Sequence, residues 1–289
     1  MATTIFLVNP REGAVTPPSY LLDTYSAAAA YSLRQLKTGV TSVVRVRRSS
    51  DNRESDFTAT EITDGTLTGF CGGGDGFVVE WVDQSGNGNT ITQSTASNQP
   101  RLVASGVVQL MPSSGNSRNG VSWGLVGTQQ LTLGSALTEL NNGNDFSVFS
   151  VASGTNGSVQ CIMNTRTNNS ANNRVSILTG HAASGALAQI HNGTTGTNVT
   201  IGSNLSTGGY VYSHHVDGTA KSMDAYYNGN GAYTNTWTGT YSNLDLGVGL
   251  DRGFTWEIGV IAELIIFGTD QSSNRTDIES NINTHYGIY

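Results

Sequence analysis

Three kinds of residue in this chain could do chemistry: adjacent histidines, oxygen-bearing loop residues, and tryptophans on which a sugar could stack. In YVYSHHVDG, His214 and His215 are neighbours. A strand sends successive side chains to opposite faces, so the pair cannot ligate one metal together. Asp83, Asn87 and Asn89 in WVDQSGNGN could offer oxygens to calcium, but the Glu that closes an EF-hand loop is missing. A turn held by side-chain to backbone hydrogen bonds accounts for the same three residues. FCGGGDG has neither the Lys of a phosphate loop nor dinucleotide-fold spacing, which sets nucleotide binding aside. Cys71 and Cys161 lack metal-ligand spacing and are expected as free thiols. No metal and no cofactor is expected. Apolar sugar faces pack on aromatic rings. Trp81 and Trp256 stand in apolar strands and are assigned to the core, whereas Trp237, among the polar residues of YTNTWTGTYSN, is the candidate exposed platform.

The elements that must position these residues are mostly strands. Charged residues make up only 12% of the 289, and the 36 glycines come with many Ser, Thr and Asn. That composition suits short strands joined by tight turns, because Gly and Asn accept positive φ and Ser or Thr suit exposed strand faces. The net charge of −7 argues against a nucleic-acid partner, since the basic cluster Arg45, Arg47 and Arg48 is followed at once by acidic residues. No apolar run approaches the roughly 18 residues of a membrane span, and no signal peptide is readable in MATTIFLVNPREG.

Residues 1–20 read as an extended arm, with Pro10, Pro17 and Pro18 excluding helix. Residues 21–289 read as a single domain. YSAAAAYSLRQLKTG predicts a helix on alanine propensity, ended by Gly39. From Val40 the period becomes two: TSVVRVRR, FVVEWV, DFSVFSVASG, RVSILTG, LAQIHNG, YVYSHHV and DAYYNG are strands separated by Gly, Asn and Ser clusters. FCGGGDGFVVEWVDQSGNGN is expected as a strand and its polar corner. Asp217 and Gly218 mark a hairpin whose return strand starts by Met223. WEIGVIAELIIFG is long enough for a strand buried on both faces. A closing helix follows, capped by Ser272 or Ser273 and buried through Ile278, Ile282 and Tyr286. The fold class is all-β: a two-sheet jelly-roll sandwich with a short N-terminal and a C-terminal helix.

AAAAYSLRQLKTG, VVRVRRSSDN and FCGGGDGFVVEWVDQSGNGNTITQ, in that order, resemble the N-terminal part of the catalytic domain of the α-L-arabinofuranosidase B family, a block also found in bacteriophage virion proteins. YSHHVDGTAKSMDAYYNGN followed by GVIAELIIF resembles the back half of a laminin-G or concanavalin-like sandwich. The first resemblance implies a retaining glycosidase with a nucleophilic Glu in a D-L-E-N-G strand end and an acid/base Asp in a G-G-D loop. LGVGLDRGFTWEIG sets Asp251 at the second place, with Glu257 and Glu263 following. GALAQIHNG sets Gln189 and His191 at the two acidic places of the first. The family's neighbouring cysteine pair is reduced to Cys161 alone. Asp251 also reads as a solvated turn residue, and His191 as an ordinary strand-end histidine.

The function expected is therefore a non-catalytic bacteriophage virion surface protein, a capsid decoration or short fibre made in the host cytoplasm. Its arm would dock on other virion proteins, its candidate ligands would be host glycans held by Trp237, Asp251, His191 and Gln189, and a homo-oligomer would fit. The alternatives are a retaining glycoside hydrolase of the arabinofuranosidase type, with Asp251 as acid/base, and a free soluble lectin.

Overall fold

The run GVIAELIIF forms the strand Gly259–Phe267, buried at all nine positions because neighbours pair on both edges and other layers cover both faces. In the computed structural model the described residues are 20–112, 115–124, 128–154, 160–165, 173–181, 185–192, 196–201, 208–249 and 259–289. The arm expected over residues 1–20 lies outside them, apart from Tyr20.

Two antiparallel ladders carry the fold. In the first, Ala29–Ser32, Gly259–Phe267, Phe146–Gly154, Gly208–Asp217, Ser222–Tyr227 and Asn230–Thr236 follow one another. In the second, the strands Glu54–Phe57, Val44–Arg48, Gly76–Trp81, Ile91–Thr92, Leu131–Thr132 and Gly247–Gly249 lead into Gln160–Asn164, Asn173–His181, Gly185–Asn192 and Gly196–Ile201. The short strands Arg101–Ala104 and Val121–Trp123 join the ladders. The main core lies between them, where Val175, Ile177, Ala188 and Ile190 of the second ladder meet Val148, Tyr212, Met223 and Leu264 of the first. The all-β sandwich is as the strand pattern predicts.

A second apolar cluster fills the outer face of the first ladder, where Phe149, Val211, Ile265 and Phe267 receive Ile278, Ile282 and Tyr286 of the closing helix, Arg275–Tyr286. The serine cap expected for this helix is absent. Ser272 lies in a preceding 3-10 turn and its hydroxyl donates to Asp270, which satisfies it locally. No helix among the described residues is long and apolar enough to cross a membrane.

The alanine-rich helix expected over YSAAAAYSLRQLKTG is a strand, Ala29–Ser32, and the N-terminal helix is the short turn Leu21–Thr24. Intrinsic propensity yields here to tertiary pairing. Ala29 through Ser32 pair with Ile266 through Glu263, and the small alanines let the polar corner close over them. Asn87 donates to the carbonyls of Ala27 and Ala28, Asn89 to that of Ala28, and the Ala30 N–H donates to Asp83. The Asp83 carboxylate accepts from Ala30 N, Ser85 N, Ser85 Oγ and Asn89 N at 2.7 to 2.9 Å. It is committed to the turn, the role expected of it. In FCGGGDG, however, Phe70 and Cys71 close a helix, Thr66–Cys71, and the strand begins only at Gly76. A Cβ on Gly76 would come within 2.8 Å of Cys71 Sγ and 3.1 Å of Val103 Cβ, so this glycine is required by close packing. Both cysteines are free and buried.

His214 and His215 point to opposite faces, as alternation requires. His214 is sealed in the interior, and His215 packs edge-on to Phe149 and Tyr226 beside Ser147 and Asp270. Burial pushes His214 down to about 3 and His215 down to about 4, and also His285 to about 4. The unfolded chain takes up protons near pH 6.5 that the folded one refuses, so stability is full above that pH and falls as the pH drops toward 4. Each such proton adds a slope of about 1.4 kcal/mol per pH unit. Chemical denaturation at pH 7 and pH 4.5 is expected to give a markedly lower stability at the acidic value. Equal stability would contradict these buried neutral imidazoles.

Candidate functional site

The outward face of the second ladder is where polar side chains converge. Its strands are short runs of alternating type, and register decides which residues meet. Gly247, Asn164, Ser176, Gln189 and Asn198 stand directly opposite one another on five adjacent strands. Arg174, His191 and Gly196 make the adjoining row. The interleaved Val175, Ile177 and Ile190 turn inward to the core. The result is a polar floor: Asn164, Arg174 and Ser176 are nearly inaccessible although they face away from the core, and Gln189 and His191 are half-buried.

Hydrogen bonds tie the floor together. Arg174 donates through Nε to Ser176 Oγ at 3.1 Å and through Nη2 to Gln189 Oε1 at 2.6 Å. Gln189 Nε2 then donates to Asn198 Oδ1 at 2.8 Å, which fixes its amide orientation. Asn164 Nδ2 donates to Cys161 Sγ at 3.5 Å. Burial pushes the Arg174 guanidinium below its ordinary value, with Cys161 acting the other way. The His191 imidazole lies across Gly196, where a Cβ would come within 2.8 Å of its Cδ2. Glycine is what leaves room for the ring beside the neighbouring strand.

The strands of this floor carry no Asp or Glu. Asp245, two residues before Gly247, is buried and accepts the Gly134 N–H at 2.9 Å. Gln189 and His191, singled out from the sequence, are thus brought together on one face. Asp251, Glu257 and Trp256 lie outside the described residues. Glu263 is on the far side of the molecule, under the closing helix, where Arg34 grips it at 2.7 and 2.9 Å. Trp237 is not an exposed platform: it is 4% exposed, joins the main core and packs on Tyr241 with ring centroids 6.2 Å apart. Its polar sequence neighbours lie on the exposed side of an edge strand and its end, which concealed the burial. Sequence reasoning missed Asn164, Arg174, Ser176 and Asn198. The alternation of N-R-V-S-I was visible, but the register that aligns its polar positions with Gln189 was not.

No family model and no curated protein matches this sequence. Solved structures do. A crystal structure of an arabinofuranosidase complexed with arabinofuranosyl-α-1,2-xylobiose superposes with a TM-score of 0.71 at 16% identity, covering 92% of this chain and 64% of that one. A GH54 α-L-arabinofuranosidase soaked with a cyclic sulfate inhibitor gives 0.66 at 16% identity, covering 90% and 63%. The fold is shared with arabinofuranosidases. This chain spans less than two thirds of the length of these arabinofuranosidases. The expectation of a non-catalytic bacteriophage virion surface protein is overturned by these likenesses, which lie with glycoside hydrolases.

Proposed function

We propose that this chain is a glycoside hydrolase domain acting on arabinofuranosyl glycans at the polar floor of the second ladder. The observation that carries this is the pairing of Gln189 and His191, side by side on the outward face of a fold shared with arabinofuranosidases over nine-tenths of the chain. These are the two positions at which the resemblance sets the family's acidic pair. Gln189 and Asn198, the more open members of the floor, supply donors and acceptors for sugar hydroxyls, already ordered by the bonds that run from Arg174 through Gln189 to Asn198.

A retaining displacement needs a carboxylate nucleophile, and His191 is not one. Water is therefore the nucleophile in this reading. Asp251 gives its proton to the glycosidic oxygen as the C1–O bond breaks, water attacks C1 from the opposite side, and the water's proton passes to the His191 imidazole. The reaction inverts the anomeric carbon.

Incubation with an aryl α-L-arabinofuranoside and a panel of other aryl glycosides tests the function. Turnover of the arabinofuranoside alone is expected. Preference for another glycoside, or none at all, would overturn it. A second reading, arabinofuranosyl binding without cleavage, is favoured by the lack of Asp and Glu in the floor strands. Saturable binding of an arabinofuranosyl xylo-oligosaccharide with no turnover would establish it.

A further inference from the structure

On the helix side of the first ladder, away from the polar floor, Tyr20, Thr60 and Thr63 together with Arg34, Arg118 and His285 line a cavity of about 300 Å³. Its volume is that of a small-ligand pocket. Two arginines and a histidine line it, and among the described residues no Asp or Glu does, in a chain whose net charge is −7.

The charges there are unevenly spent. Arg34 gives Nε–H and one Nη2–H to Glu263 and one Nη1–H to Asn281, which is three of its five N–H groups and leaves two. Its charge is neutralised by Glu263. Arg118 donates Nε–H to the His285 carbonyl at 2.9 Å, at the C-terminal end of the closing helix, and its terminal N–H groups meet no acceptor among the described residues. Arg118 has no acidic partner among them either. His285 has its pKa lowered, by burial first and then by Arg34 and Arg118, so its ring is neutral at pH 7. Among the described residues, one uncompensated guanidinium, a neutral imidazole and two threonine side chains make a lining with a single net positive charge, surplus N–H donors and neighbouring hydroxyls.

We propose that this cavity is a second ligand site, which takes a monosaccharide-sized sugar carrying one carboxylate, a uronic acid. The carboxylate accepts from the terminal N–H groups of Arg118 and the remaining ones of Arg34, an arrangement that favours a planar monoanion. Ring hydroxyls meet Thr60 and Thr63, and Tyr20 covers the ring's apolar face.

Calorimetric titration of the whole chain with glucuronate at pH 7 tests this, with glucose and inorganic phosphate as the other arms. Saturable glucuronate binding is expected, at least about tenfold tighter than glucose, because the charge-assisted bonds are lost with the neutral sugar. Arg118→Gln is expected to weaken it at least about tenfold. Since Arg118 also holds the helix end, Thr63→Glu serves as the second variant. It sets a repelling carboxylate on the exposed wall, is expected to weaken glucuronate binding by a similar factor, and leaves the unfolding midpoint unchanged. Excess arabinose is expected not to displace glucuronate, which separates this site from the polar floor. Equal affinity for glucose, tighter binding of phosphate, or full glucuronate affinity in Thr63→Glu would overturn the proposal.

Discussion

Asp251→Asn is expected to lower kcat on an alkyl arabinofuranoside by about 10²–10⁴-fold while leaving sugar affinity unchanged. The amide keeps the size of the side chain and loses the proton that the departing oxygen requires. With a nitrophenyl leaving group, whose oxygen departs as a stable anion, the same variant is expected to lose far less. His191→Ala should behave differently. Removing the proton acceptor for water slows hydrolysis of both substrates by a similar factor, because water attacks in either case. Parallel assays of the two variants on the two substrates read this pattern directly. Equal losses for Asp251→Asn on both leaving groups, or a His191→Ala variant of full activity, would remove the assigned roles.

The second large effect concerns stability. Glu263 is fully buried in the strand Gly259–Phe267. Burial acts to raise its carboxyl, and the Arg34 guanidinium with the Ser32 hydroxyl outweighs that, holding the group below its ordinary value. Tyr286 adds its hydroxyl at 3.3 Å. Arg34→Met strands this carboxylate in the interior, and a loss of about 3–5 kcal/mol is expected in denaturant titration at pH 7. Adding Glu263→Leu to Arg34→Met should recover most of the loss, since a buried ion pair contributes little beyond an apolar replacement of similar volume. By contrast Arg45, paired with Asp56 at 2.7 Å on an exposed strand, should cost only about 0.2–1 kcal/mol when replaced by Met. A small effect at Arg34, comparable to that at Arg45, would contradict the burial assigned to the pair.

Alternation made most of the strands legible. FSVFSVASG, RVSILTG and YVYSHHV carry their inward and outward sets in their own sequence, and GVIAELIIF announces a buried strand by length alone. The alanine run misled because alanine is the best helix former, and nothing local signals that Ile266 and Ile265 lie opposite Ala29 and Ala30. Trp237 misled for a related reason. Its nearest neighbours in sequence are polar, while Tyr241, one of the same stretch, and the main core bury it.

The floor was half legible. Resemblance pointed to Gln189 and His191, and their spacing of two placed them on one face. Arg174, which donates to Gln189 Oε1, comes from the neighbouring strand, so its role depends on a register that no local pattern encodes. The same holds for Asn164 and Asn198. A polar residue in a strand says which way it faces only once the buried set is known, and says which residue it meets only once the strands are paired.

The central claim is that water attacks C1 while the imidazole of His191 takes its proton, at the place where a related carboxylate would attack the sugar itself. Proton NMR of the anomeric signal, recorded as methyl α-L-arabinofuranoside is hydrolysed, reads this outcome before mutarotation intervenes. The sugar first released is expected to have the inverted, β configuration; first release of the α anomer, or no release over a time course that completes with an acid control, would contradict it.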